Sequence, residues 1–143
     1  MKSRQEGQTL VVFALVMAFL LVGMLAMVGD YAVVVSHYNG IDEAALLAAQ
    51  SGASKIDLTV YTATHEVRLD PVQAKLECQR VALANAPFVR ATDVNCLVGA
   101  NFVEAQISDG GSLPVRVLGN NFSISANHRS YAAYGISQPC GPC

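Results

Sequence analysis

The chain has 143 residues, a length that suits one domain rather than several. Its 9 basic residues are offset by 11 acidic ones with no basic cluster, which excludes a nucleic-acid partner. Hydrophobic residues make up 52% of the chain, and they are concentrated near the N-terminus, which directs attention to that segment first.

Residues 9–29 carry no charge, and residues 31–35 extend the apolar run past Asp30. At about 1.5 Å per residue, such a helix reaches roughly 31 Å, close to the ~30 Å hydrocarbon layer of a bilayer. A secretory signal has an apolar stretch of only about 7–15 residues before its cleavage site, so the run is too long for one. The expectation is a retained transmembrane helix spanning about residues 9–35. Lys2 and Arg4 precede it, whereas Asp30, Asp42 and Glu43 follow it, and the next basic side chain is Lys55. This asymmetry predicts a cytoplasmic N-terminus and an extracytoplasmic remainder.

The helix is expected to continue to residue 53, with Asn39-Gly40 as a potential break. Ala44, Ala45, Ala48, Ala49 and Gly52 form a stripe of small residues at helical spacing, which permits close approach of another helix. That helix could belong to another subunit or to the same domain. Residues 57–70 mix β-branched and aromatic residues, with Tyr61, Ala63, Val67 and Leu69 alternating, and predict a strand. Asp70-Pro71 then reads as an N-cap followed by Pro at the first helical position. The ensuing helix is expected to stop before Pro87 and to bury Val72, Leu76 and Leu83.

The last third alternates. Val103, Ala105 and Ile107 predict one strand, Asp109-Gly110-Gly111 a turn, and Leu113, Val115 and Val117 a second strand. Gly119-Asn120-Asn121 predicts another turn, followed by a strand holding Phe122, Ile124 and Ala126. The fold class expected is α+β: a long N-terminal helix, then a domain over residues 54–143 with one helix on an antiparallel sheet.

Residues 1–53 resemble a known family. The segments EGQTLVVFALV, GDYAVVV and DEAALLAAQSGA, in that order and spacing, are similar to the TadE/TadG-like minor pilins of the tight-adherence (Tad/Flp) pilus machinery. The resemblance implies that a prepilin peptidase removes residues 1–7 by cutting between Gly7 and Gln8. It also implies that the apolar helix serves first as membrane anchor and later as packing surface among pilus subunits. Pilins commonly carry Glu five residues after the cut, where this chain has Val12. An intramembrane carboxylate is costly unless paired, and in the family it is thought to meet the N-terminal amine of an adjacent subunit. Its absence favours a minor or accessory subunit over a major one. The location implied is the bacterial inner membrane, with passage to an extracellular pilus after assembly; the partners implied are other pilin or pilus-assembly subunits, the prepilin peptidase and membrane lipid.

Asp30 lies at the expected membrane interface and reads as a solvated helix end, the alternative being a pairing with a basic group on a partner. Cys78, Cys96, Cys140 and Cys143 allow three pairings in an oxidising compartment, and spacing does not choose among them. The terminal Cys140-Gly-Pro-Cys143 has the spelling of a thioredoxin-type redox motif, but that chemistry draws on a helix N-terminus to stabilise the thiolate. The preceding Trp and the βαβ context are missing, so a structural disulfide is expected instead. Cys78 and Cys96 are too far apart to supply the usual close pair of zinc ligands, and His37, His65 and His128 have no ligand-like spacing. Asn121-Phe122-Ser123 spells a glycosylation acceptor, a triplet frequent by chance and idle in a bacterial chain. No catalytic constellation, cofactor or metal is expected. Two other classes compete with the pilin reading: an anchored envelope protein unrelated to pili, and a tethered thiol-disulfide oxidoreductase.

Overall fold

The computed structural model describes residues 3–132, with side chains from Leu10 onward; Cys140 and Cys143 lie outside the described residues. The elements are α1 (Ser3–Ala53), α2 (Leu58–Thr64), α3 (Pro71–Asn85), a 3-10 turn (Ala91–Asp93), β1 (Val94–Val98), β2 (Phe102–Ser112) and β3 (Asn121–Tyr131). The architecture is α+β, as the residue pattern predicts: a long apolar helix followed by helix α3 and a three-stranded antiparallel sheet in the order β1-β2-β3. Two compact units divide the chain. One comprises residues up to Ser36 together with Gly111–Phe122; the other comprises His37–Gly110 together with residues from Ser123 on.

Helix α1 runs through Asn39-Gly40 without the expected break. A glycine inside a helix costs about 1 kcal/mol relative to alanine, and burial of the neighbouring Ile41 outweighs it. A Cβ at residue 40 would lie 3.1 Å from the Phe88 ring, so the glycine leaves room for that ring to cover the helix.

The strand expected over residues 57–70 is instead helix α2. The Asp57 carboxylate accepts hydrogen bonds from the Thr59 and Val60 amides at 2.9 and 3.2 Å, satisfying two of the donors that a helix start leaves open. His65 ends the helix in the left-handed region at φ 58°. Extended pairing survives only as a bridge between Ile56 and Leu69. Side-chain alternation was a weak signal here, because no residue of α2 is buried and no core face enforces a period of two.

Helix α3 begins as Asp70-Pro71 dictates, with the Asp70 carboxylate accepting from Val72 N and Gln73 N at 3.0 Å each. Its buried face, however, is Ala74, Cys78 and Ala82, while Val72 and Leu76 are exposed and only Leu83 of the expected set packs at the core's edge. The reason is the closeness of α1. A Cβ on Gly52 would sit 3.0 Å from the Ala74 carbonyl oxygen, 3.2 Å from Cys78 Cβ and 3.1 Å from Val103 Cγ1. Two backbones at that separation admit only small residues between them.

Strand β1, which the residue pattern does not predict, pairs antiparallel with β2 in the register Val94↔Ile107, Cys96↔Ala105 and Val98↔Val103. The inward residues Val103, Ala105 and Ile107 alternate as expected and are fully buried. Asp109-Gly110-Gly111 is not a turn; β2 continues through it to Ser112. The strand expected at Val115 and Val117 is a loop, and β3 holds Phe122, Ile124 and Ala126 as anticipated. The Arg129 guanidinium ties β3 to β2 through Glu104 and lies over the Phe102 ring, 4.6 Å from its centroid.

Glu77 on α3 accepts from Arg80 Nε at 2.9 Å, from Arg80 Nη2 at 2.7 Å and from Ser51 Oγ at 3.2 Å. The Arg80 hydrogen bonds, reinforced by the Arg80 and Lys55 charges and the Ser51 bond, outweigh desolvation and hold its carboxyl well below the ordinary 4.5, at about 2. A carboxyl depressed on folding stabilises the folded state above the unfolded value, and that contribution is lost as pH falls from 4.5 toward 2. Thermal melts of Glu77→Gln are therefore expected to match wild type more closely at pH 2 than at pH 6. An unchanged gap would place the acid sensitivity elsewhere.

Candidate functional site

From Leu10 to Val28 every large apolar side chain of α1 is exposed, including Phe13, Phe19 and Leu25. The exposed residues surround the helix rather than lining one side of it. A helix apolar on all sides belongs in lipid or inside a bundle, because neither face offers water a hydrogen-bonding partner. Among the described residues this is the one helix long and apolar enough to cross a membrane.

The C-terminal part of the same helix behaves differently. Ala44, Ala45, Ala48 and Ala49 are completely buried, and Gly52 is buried with them. The small-residue stripe thus packs against α3 and β2 of its own chain. Of the two neighbours the spacing allows, another subunit or the same domain, the stripe meets its own domain.

Asp30 departs from the expected solvated helix end. It is the one buried charged residue among those described, with no exposed surface. Its partners are backbone amides of the loop joining β2 to β3 rather than a basic side chain. Val115 N donates to Oδ1 at 3.0 Å, and Val117 N and Leu118 N donate to Oδ2 at 2.9 and 3.4 Å. An unpaired carboxylate in an apolar setting costs several kcal/mol, so the amides make the position tenable. The loop is held from within as well. Leu113 is buried, its N–H donates to Asn120 O at 3.1 Å, and Gly119 takes φ 141°, a conformation that L side chains rarely adopt. The sequence carries one hint of this arrangement, an acidic residue interrupting an apolar run, but nothing in it names amides 85 positions away.

In the other unit, Cys78 Sγ and Cys96 Sγ form a disulfide joining α3 to β1. His37 Nδ1 lies 2.6 Å from Asp109 Oδ2, and the imidazole meets the Phe88 ring edge-on with centroids 5.0 Å apart. His128 Nε2 lies 2.9 Å from Asp42 Oδ1. Both pairs fasten α1 to the sheet. A cleft of about 430 Å³ is lined by Phe88, Arg90, Asp93, Ser108, Asp109 and Ser123, a polar mouth with charges of both signs. Among the described residues, no three His, Cys, Asp or Glu side chains come together as metal ligands would. Gly7 and Gln8 lie inside α1, in its second turn.

Comparison with protein-family models, with curated proteins and with solved structures finds no match.

Proposed function

We propose that this chain is a single-pass, N-in inner-membrane protein that acts as a minor pilin or pseudopilin in assembly of a Tad-type pilus. The observation that carries the reading is the division of labour along α1. Its first half is apolar on every side and exposed, while its C-terminal stretch buries one face, Ile41, Ala44, Ala45, Ala48, Ala49 and Ala53, in a small disulfide-bonded domain. A helix of this kind can be stored in lipid and transferred to a bundle of like helices without refolding the domain it carries, since that domain keeps its own small-residue interface for itself. The order of the Gly7-Gln8, Asp30-Tyr31 and Ala-rich segments supports the same reading. The positive flank of Lys2 and Arg4 supports the orientation. The protein acts in this scheme by packing and surface contact rather than by catalysis.

The intact mass of protein extracted from membranes tests it. Loss of residues 1–7, leaving Gln8 at the N-terminus, is expected, and Gly7→Leu should abolish the cut. A mature chain beginning at Met1 favours an anchored envelope protein outside the pilus, and one beginning near residue 30 means that the apolar segment is discarded.

A further inference from the structure

We infer that the loop of residues 113–119, clamped by Asp30, is a second membrane contact that seats on the phospholipid interface beside α1. The inference takes the uncharged run of residues 9–29, within the expected span of about 9–35, as the part of α1 that lies in hydrocarbon, and does not rest on the pilus assignment.

Position is the first argument. Residues 9–29 of a helix cover roughly 31 Å at about 1.5 Å per residue, close to the thickness of the hydrocarbon layer. Asp30 and the loop bound to it therefore lie at the end of the span, where hydrocarbon gives way to headgroups. The loop's polarity is the second. Val115, Val117 and Leu118 are each about half exposed, at 50, 48 and 51%, while their own amides turn inward to the Asp30 carboxylate. A loop bathed in water has no need to satisfy its amides internally and gains nothing by presenting three apolar side chains. A loop lying where water is scarce must satisfy its amides within the protein.

The third argument is continuity. The apolar loop side chains share one compact unit with the exposed apolar stretch of α1. Tyr31, 64% exposed on the next helix position, is the amphipathic ring type that collects at headgroup level. Exposed Arg116, between the two valines, can extend its guanidinium to a lipid phosphate while its stem stays in the apolar layer. Asp30 is then a positioning residue. It replaces the water that the loop's backbone gives up and fixes the apolar tips toward the bilayer.

The chain contains no tryptophan, so one introduced indole reports its surroundings without interference. Full-length Val117→Trp and, separately, Val115→Trp would be placed in nanodiscs of phosphatidylcholine and phosphatidylglycerol, with and without bromine on the acyl chains near the headgroup. Leu15→Trp, in the exposed stretch of α1, reports insertion of the helix itself, and a cooperative circular-dichroism melt matching wild type reports folding. The loop indoles are expected to emit blue-shifted light and to lose most of it in brominated discs. Adding Asp30→Asn should restore much of the loop emission and leave that of Leu15→Trp quenched. A quenched Leu15→Trp beside unquenched loop reporters overturns the loop contact and leaves the anchor standing. Unquenched reporters at all positions overturn both. Loop reporters that shift only as protein crowds the disc, without bromine quenching, show a second copy covering the loop and overturn the proposal. Loop quenching unaffected by Asp30→Asn removes Asp30 from it.

Discussion

Gly52→Leu is expected to destabilise the α+β domain by about 3 kcal/mol, the upper range for overfilling a packed core. For a domain of this size that lowers the melting temperature by roughly 10–20 °C. The magnitude follows from what surrounds the missing side chain. Even a methyl group at residue 52 would stand 3.0 Å from the Ala74 carbonyl oxygen, a backbone atom that moves only if α3 moves. Val103 Cγ1 at 3.1 Å and Cys78 Cβ at 3.2 Å close the remaining sides. Gly52→Ala sets two effects against each other: about 1 kcal/mol of helix propensity gained, and a comparable loss from the tight contact. It should come out near neutral. Gly23→Ala is the control, because nothing lies within 4 Å of a Cβ there and the thermal unfolding of the domain should be unchanged. Circular-dichroism melts of the three variants in detergent check the set. A Gly52→Leu chain that melts with wild type would mean that α1 and α3 do not approach as closely as described.

Removing the Cys78–Cys96 bridge should cost about as much. For a closure spanning 18 residues, the chain-entropy account gives about 3 kcal/mol. The double replacement Cys78→Ala, Cys96→Ala is the appropriate variant, since a single change leaves a buried thiol able to pair with Cys140 or Cys143. Both sulfurs are buried between α3 and β1, so the alanines also forfeit some packing. The expected result is a melting temperature lower by roughly 10–20 °C, reproduced in wild type by reduction under denaturing conditions and refolding with the thiols blocked. Peptide mapping without reductant should yield a fragment linking residues 78 and 96. A fragment linking either one to the tail would show that a different pairing holds the domain.

The two variants probe features of very different visibility in the sequence. A bridge of some kind was legible, but its pairing was not, because four cysteines admit three connectivities and only the approach of α3 to β1 selects one. The small-residue stripe was also legible as a surface that invites a close neighbour. Which helix accepts the invitation depended on α3 turning Ala74, Cys78 and Ala82 toward it. The expectation that Val72 and Leu76 would lead that face failed because large apolar residues fill wide gaps, and here the gap is narrow. Strand β1 is not legible in the sequence because it is a run of five residues placed by its pairing with β2 rather than by its own composition. The strand expected over residues 57–70 gives way to α2 at Leu58–Thr64 because Asp57 supplies a helix start, a local capping signal that outweighs a faint alternation.

What the sequence determines by itself is whatever depends on neighbours along the chain. The uncharged run of α1, the Asp70-Pro71 start of α3 and the alternation of Val103, Ala105 and Ile107 all follow from local spacing, propensity and hydrophobic period. Only the tertiary structure decides the partners of Asp30, Cys78 and Gly52. Each is defined by groups brought close from distant positions, and the energy of a buried carboxylate, a disulfide or a tight helix contact depends on distance in space, which residue order does not encode directly.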